Sequence, residues 1–133
     1  MLVFSNQRLG PAAELMVSRE VAIAVVRSVA ASARPVATAH WERELVRWLD
    51  ERASWIASTS AVTPRITISI DVGDIAWTPQ HFDRQRQFLL EAIEDARKHV
   101  PYSRQLVDWA DLIKAHPRDS VQFGRRWVWH STV

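Results

Sequence analysis

The sequence contains no cysteine, and this absence removes several kinds of chemistry at once. Without a thiol the chain has no disulfide framework, no cysteine nucleophile and no cysteine ligand for a metal ion. Glycine is also scarce: Gly10, Gly73 and Gly124 lie far apart, so no glycine-rich loop is present to hold a phosphate group. These absences exclude the thiol-dependent and P-loop classes of enzyme, and they fit a cytoplasmic protein.

Histidine and serine form no recognisable catalytic or metal-binding motif either. The five histidines show neither HxH nor HExxH spacing, and no serine lies in a Gly-x-Ser-x-Gly turn. We therefore predict no catalytic residue, no metal site and no cofactor. A protein that is not an enzyme is favoured, although the sequence leaves an enzyme open.

Long hydrophobic runs are missing as well. The most apolar stretch, residues 21–33, is too short to span a bilayer and carries Arg27. The first ten residues lack the apolar core of a signal peptide. These features predict a soluble, cytoplasmic protein with no membrane partner.

The basic residues are almost all arginine, since only Lys98 and Lys114 among the 17 are lysines. A GC-rich genome explains such a bias more simply than phosphate recognition does. Fifteen acidic residues leave a net charge of only +2, and nucleic-acid binding relies on a stronger positive field. Nucleic acid is therefore not expected as the main partner.

The best-defined element is a strand, a turn and a helix over residues 65–100. Apolar Ile66, Ile68, Ile70 and Val72 alternate with polar residues, which predicts a strand with one polar face. Thr78 and Pro79 then predict the start of a helix, with Trp77 and Phe82 packed together as a hydrophobic staple. The apolar residues of this helix share one side, which we expect to face the strand.

Further periodicities predict one domain, residues 1–133, with the element order (β)-α-α-β-α-α-β. Residues 21–26 are rich in β-branched residues, so a strand is an alternative to a helix for this segment. We prefer the helix. The resulting fold class is α+β, a small two- to three-stranded sheet packed on one face by about four helices, with the polar face open. The remaining predicted elements are a strand at 1–5, helices at about 10–33, 37–57 and 103–116, and a strand at about 121–130.

Tryptophans at positions 41, 48 and 55 repeat every seven residues along the second predicted helix. This spacing places them on one broad face together with Leu45 and Ile56, and such a face is normally part of a core. Arg52 falls within it. We expect its guanidinium to lie over the tryptophan rings, although a charge directed at a ligand is the alternative.

Two clusters supply candidate site residues. Asp71, Asp74 and His81 follow the central strand, where carboxylates can hold Mg²⁺ or act as a general base. The simpler interpretation is that Asp74 serves the turn and Asp71 pairs with an arginine such as Arg126.

The second cluster, near the end of the sequence, alternates arginine with tryptophan and comprises Arg125, Arg126, Trp127, Trp129 and His130. Arginine and tryptophan can stack on bases, and they are also enriched at the centres of protein interfaces. A buried terminal strand is the remaining interpretation.

Three functions follow, in order of preference. The first is a small bacterial protein-binding module, an immunity or antitoxin-type inhibitor that occludes a partner protein such as a cognate toxin. Its predicted contact residues are Asp71, Asp74, His81, Arg125, Arg126 and His130. The second is a small-molecule-binding protein or enzyme that uses the Asp71, Asp74, His81 corner, and the third is nucleic-acid binding through Arg125, Arg126 and Trp127.

Overall fold

The computed structural model describes residues 2–9, 13–59 and 68–117, and the fold is given for these ranges. Within them the predicted α+β class is confirmed: three short strands accompany four helices. The strands are β1 (Leu2–Ser5), β2 (Glu14–Val17) and β3 (Ile68–Asp71). The helices are α1 (Arg19–Ala33), α2 (His40–Thr59), α3 (Phe82–Ala96) and α4 (Ser103–Lys114).

The three strands form one mixed sheet in the order β2-β1-β3. β1 is antiparallel to β2, with Leu2 opposite Val17, and parallel to β3, with Ser5 opposite Asp71. The predicted first strand is therefore present, and it lies in the centre of the described sheet. Because β1 and β3 are parallel, their carboxyl ends lie side by side.

The core lies between the sheet and the apolar sides of the four helices. Phe4 and Ile70 supply the sheet's contribution, and the Phe4 ring centroid lies 5.0 Å from that of Trp109 on α4. On α3 the buried apolar residues recur at helical spacing, as predicted, and they include Leu89 and Ile93. Residues 21–26 lie within α1, so the helical interpretation of that segment is confirmed.

The first helix was predicted to start at about residue 10, and this boundary is wrong. Residues 14–17 form β2, and the helix starts at Arg19, where the Ser18 hydroxyl accepts a 3.3 Å hydrogen bond from the N–H of Val21. Pairing with β1 decides the conformation of this segment. Its burial alternates accordingly: Val17 is buried while Met16 is exposed.

The third helix is also shorter than predicted. It begins at Phe82 and not at Pro79, and it ends at Ala96 and not at Val100. Thr78 instead belongs to a turn, in which its carbonyl accepts a hydrogen bond from the N–H of His81. The predicted contact between Trp77 and Phe82 is present, with ring centroids 4.9 Å apart.

The polar face of the sheet was predicted to be open, and it is open only in part. Ser5 is 3% exposed and Asp71 is 5% exposed, so both side chains are covered, whereas Glu14 and Met16, on the same face of β2, are exposed. The predicted strand at 121–130 lies outside the described residues. Among the described helices, none is both long and apolar enough to cross a bilayer.

Candidate functional site

Asp71 ends β3 and ties two distant segments together through its carboxylate. Oδ1 accepts a 2.8 Å hydrogen bond from the backbone N–H of Gln7, just beyond the carboxyl end of β1. Oδ2 accepts a 3.1 Å hydrogen bond from the N–H of Gly73, the middle residue of a short 3₁₀ turn, Val72–Asp74. A buried carboxylate needs such donors in place of water. The described contacts of Asp71 are therefore those of a structural group.

The turn after Asp71 requires glycine because of close approach. A Cβ atom at position 73 would lie 2.6 Å from Asp71 Oδ2 and 3.8 Å from Cε1 of His116. The first distance is well inside van der Waals contact. Gly73 thus allows the carboxylate to fold back onto its own turn, and it brings His116 to the same corner.

Asp74 closes this turn and, unlike Asp71, has an exposed side chain. Partial loss of hydration raises the pKa of its carboxyl, the negative charge of Asp71 raises it further, and the positive charge of Arg52 opposes both effects. Asp74 therefore lies within electrostatic reach of both the turn and α2. The negative charges of Asp71 and Asp74 act on each other across this turn.

His81 has different neighbours. Its ring stacks on Trp41 of α2 with centroids 5.6 Å apart, and its Nδ1 lies 3.2 Å from the hydroxyl oxygen of Thr78. These contacts join the start of α3 to the start of α2. The described geometry provides no general acid–base pair between His81 and the two aspartates.

Buried polar side chains gather at this end of the sheet, and the sequence patterns missed most of them. Asn6 donates a 3.0 Å hydrogen bond from Nδ2 to the carbonyl of Leu112 at the end of α4. Gln85 donates from Nε2 to the Ala76 carbonyl at 2.7 Å and accepts from the N–H of Thr78 at 2.9 Å. The buried polar residues in the described ranges are Ser5, Asn6, Asp71, Gln85 and His116.

These groups hold the ends of the strands and helices in place. The His116 ring stacks on Trp77 with centroids 5.6 Å apart, and the Trp77 indole N–H donates to the carbonyl of Val72 at 2.8 Å. Over the ranges given above, no three histidine, aspartate or glutamate side chains are grouped to hold a metal ion. These buried polar groups are accordingly hydrogen-bonded structural contacts that connect the strand ends to the helix ends.

A second candidate site lies on α2, at the edge of its buried face. The predicted core face is confirmed in part: Leu45 and Ile56 are buried, and Trp41 and Trp48 are half-buried against the core, but Trp55 is 39% exposed. The aliphatic residues occupy the centre of the buried face, and the tryptophans lie along its edge.

The predicted position of Arg52 is confirmed. Its guanidinium carbon lies 5.1 Å from the ring centroid of Trp48 and 5.1 Å from that of Trp55. With Glu51, these residues line a shallow groove of about 270 Å³. We refer to these four residues as the α2 groove.

The other predicted site residues, Arg125, Arg126 and His130, lie outside the described residues, as does the pairing proposed between Arg126 and Asp71. No family model matches the chain, and no curated protein or solved structure gives a significant match.

Proposed function

We propose that the chain is a small bacterial protein-binding module that acts as an immunity or antitoxin-type inhibitor by occluding a partner protein. The observation that carries this proposal is the α2 groove. Trp48, half-buried against the core, and Trp55, which is exposed, present aromatic surface to solvent, with Arg52 held over their rings. Tryptophan and arginine are the residues most enriched at the energetic centres of protein interfaces.

The location of the groove also favours this function. It lies on a helix of 20 residues whose adjacent side is anchored in the core by Leu45, Leu49 and Ile56. A rigid helix presents its side chains with little loss of conformational entropy on binding. Occlusion of a partner requires such a rigid surface and no chemistry of its own.

Asp74 extends the proposed contact surface toward the 3₁₀ turn, since its exposed carboxylate is sensitive to the charge of Arg52. Asp71 supports that surface from within through its bonds to Gln7 and Gly73. In this proposal the two aspartates have separate roles: Asp74 faces the partner and Asp71 fixes the turn.

The test is affinity capture from lysate of the source organism, washed at low and then high salt. We expect one protein to survive the high-salt wash, because an interface centred on aromatic residues is less screened than an ionic one. Expression of that protein alone should slow growth, and co-expression of the chain should restore it.

Retention of nucleic acid alone, released by salt, would contradict the proposal and favour binding through the arginine–tryptophan cluster near position 126. Capture of no protein at all would also contradict it. A captured protein whose effect on growth is unchanged by the chain would refute inhibition while leaving protein binding in place.

A further inference from the structure

The arginines of α2 and of the turn before it differ in whether an oxygen atom accepts from their guanidinium N–H groups. Arg34 donates to the carboxylate of Asp50 at 2.7 Å, and Arg47 lies 3.2 Å from Glu44 Oε1. Arg43 donates to the backbone carbonyl of Thr38. Within the described part of the chain, Arg52 has no such oxygen acceptor, and its close contacts are the two tryptophan rings.

This arrangement orients Arg52 without using its hydrogen-bond donors. A cation–π contact engages the flat face of the guanidinium, whereas the N–H groups point outward in its plane. Trp48 and Trp55 stand four residues before and three residues after Arg52, so all three share one side of the helix. The result is a fixed, half-buried cation whose donors remain available for an oxygen acceptor from outside.

We propose that the α2 groove binds one carboxylate side chain, aspartate or glutamate, of the partner protein, with Arg52 as its bidentate donor. The planar fork of arginine matches a carboxylate, and the tryptophan rings would cover the aliphatic part of the entering side chain and exclude water. This inference rests on the proposed function and adds the chemistry that the partner supplies.

The surroundings favour a single carboxylate over a phosphate or a nucleic-acid backbone. Glu51 lines the groove, and the carboxylate of Asp74 lies within electrostatic reach of Arg52. These two negative charges repel a phosphate dianion more strongly than they repel a monovalent carboxylate. The groove volume of about 270 Å³ is also below the usual range for sites that enclose whole ligands, and it suits one side chain.

The same charges predict that Asp74 weakens binding of the partner's carboxylate. Replacement of Asp74 by Asn removes a negative charge near the groove, so affinity for an acidic ligand should rise by about two- to five-fold. A partner that instead inserted a lysine or arginine would show the opposite change. The sign of this effect therefore reports the charge of the occupant.

The experiment uses the full chain labelled with ¹⁵N, and the NMR signals of the tryptophan indole N–H groups are followed. The probes are a terminally blocked peptide with one glutamate among alanines, the same peptide with glutamine, inorganic phosphate and an oligo-dT strand. We expect saturable shifts of the Trp48 and Trp55 signals with the glutamate peptide. Arg52→Gln should weaken this binding about ten-fold or more, the range for a lost charge-assisted hydrogen bond.

Two variants make the result specific. Arg84→Gln removes the same charge from an exposed position on α3 and should leave the titration unchanged. Arg52→Lys keeps the charge and the helix but loses the fork, so it should also weaken binding. If the glutamine peptide binds equally well, or if Arg52→Gln retains full affinity, the inference is wrong.

Binding of phosphate or oligo-dT at Trp48 and Trp55 that is tighter than binding of the glutamate peptide would also overturn the inference. Different results would refute the proposed function and the carboxylate site. A partner that is captured equally well by wild type and by Arg52→Gln would refute the carboxylate site and leave the protein-binding module standing. Binding of the glutamate peptide without capture of any protein would refute the protein-binding module and leave the carboxylate site standing.

Discussion

The carboxylate of Asp71 accepts a 2.8 Å hydrogen bond from the backbone N–H of Gln7, which lies 64 positions earlier in the chain. This bond joins the carboxyl ends of two parallel strands, β1 and β3. The bond is partly buried, with Asp71 itself 5% exposed, so water replaces the lost acceptor only in part. The alternation of residues 66–72 indicated which face Asp71 occupies but not that this face is covered at Asp71.

Asp71→Ala should lower the free energy of unfolding by about 1.5–3 kcal/mol, because the N–H groups of Gln7 and Gly73 lose a charged acceptor. Urea denaturation monitored by tryptophan fluorescence measures the change. Asp111→Asn, at an exposed position on α4, is the control and should stay within about 0.5 kcal/mol of wild type. An Asp71→Ala variant as stable as wild type would show that Asp71 does not stabilise the fold.

Gly73→Ala should destabilise the fold by about 1–3 kcal/mol, since its methyl group would lie too close to Asp71 Oδ2. The test is a double-mutant cycle with Asp71→Ala. The glycine substitution should cost less once the carboxylate is gone, with a coupling energy above about 0.5 kcal/mol. Simple additivity would show that the carboxylate is not what excludes the side chain.

Asp74→Asn should make stability less dependent on pH. The pKa of Asp74 in the folded state is raised above its ordinary value of 3.8 by lost hydration and by the charge of Asp71. The folded protein therefore holds this proton more tightly than the unfolded chain does, and wild type loses stability as the pH rises through that window.

The advantage of the Asn variant should accordingly be near zero at about pH 3 and positive at about pH 7, where wild-type Asp74 is charged. Urea unfolding at a series of pH values measures the difference. A variant less stable than wild type at neutral pH would mean that attraction to Arg52 outweighs the two unfavourable effects.

Gln85→Leu should lower the free energy of unfolding by about 2–4 kcal/mol, because the Thr78 N–H and the Ala76 carbonyl both lose their partner. Gln87→Leu is the matched control on the same helix, and its exposed side chain bonds only Glu91 among the described contacts. It should change stability by less than about 0.5 kcal/mol. Equal effects of the two substitutions would contradict the role given to Gln85.

The spacing of residues along the sequence correctly predicted those features that depend on contacts between near neighbours in the chain. The apolar side of α3 and the position of Arg52 over Trp48 and Trp55 depend on residues within one or two helical turns. The conformation of residues 14–17 depends instead on pairing with β1, which overrides the helical pattern. The start of α3 was misplaced because Gln85 and the turn around Thr78, and not an N-cap at Thr78, set its geometry.

The buried polar groups could not be predicted for the same reason. Asn6 is buried against a carbonyl 106 positions away, and no pattern in the neighbouring residues signals that contact. The exposure of Trp55 likewise depends on the volume that Leu49 and Ile56 already occupy in the core. A seven-residue repeat shows that tryptophans share a side, and packing decides whether that side faces inward.

The most direct test of the account is the affinity of the captured partner for wild type and for Trp55→Ser, measured by calorimetry. Trp55 is 39% exposed at the rim of the α2 groove, so its loss should weaken binding by at least about 2 kcal/mol while stability falls by less than about 1 kcal/mol. Leu49→Ala, at a buried position six residues earlier on α2, should show the reverse, with stability lower by about 2–5 kcal/mol. A partner that binds Trp55→Ser as tightly as wild type would contradict the proposed interface on α2.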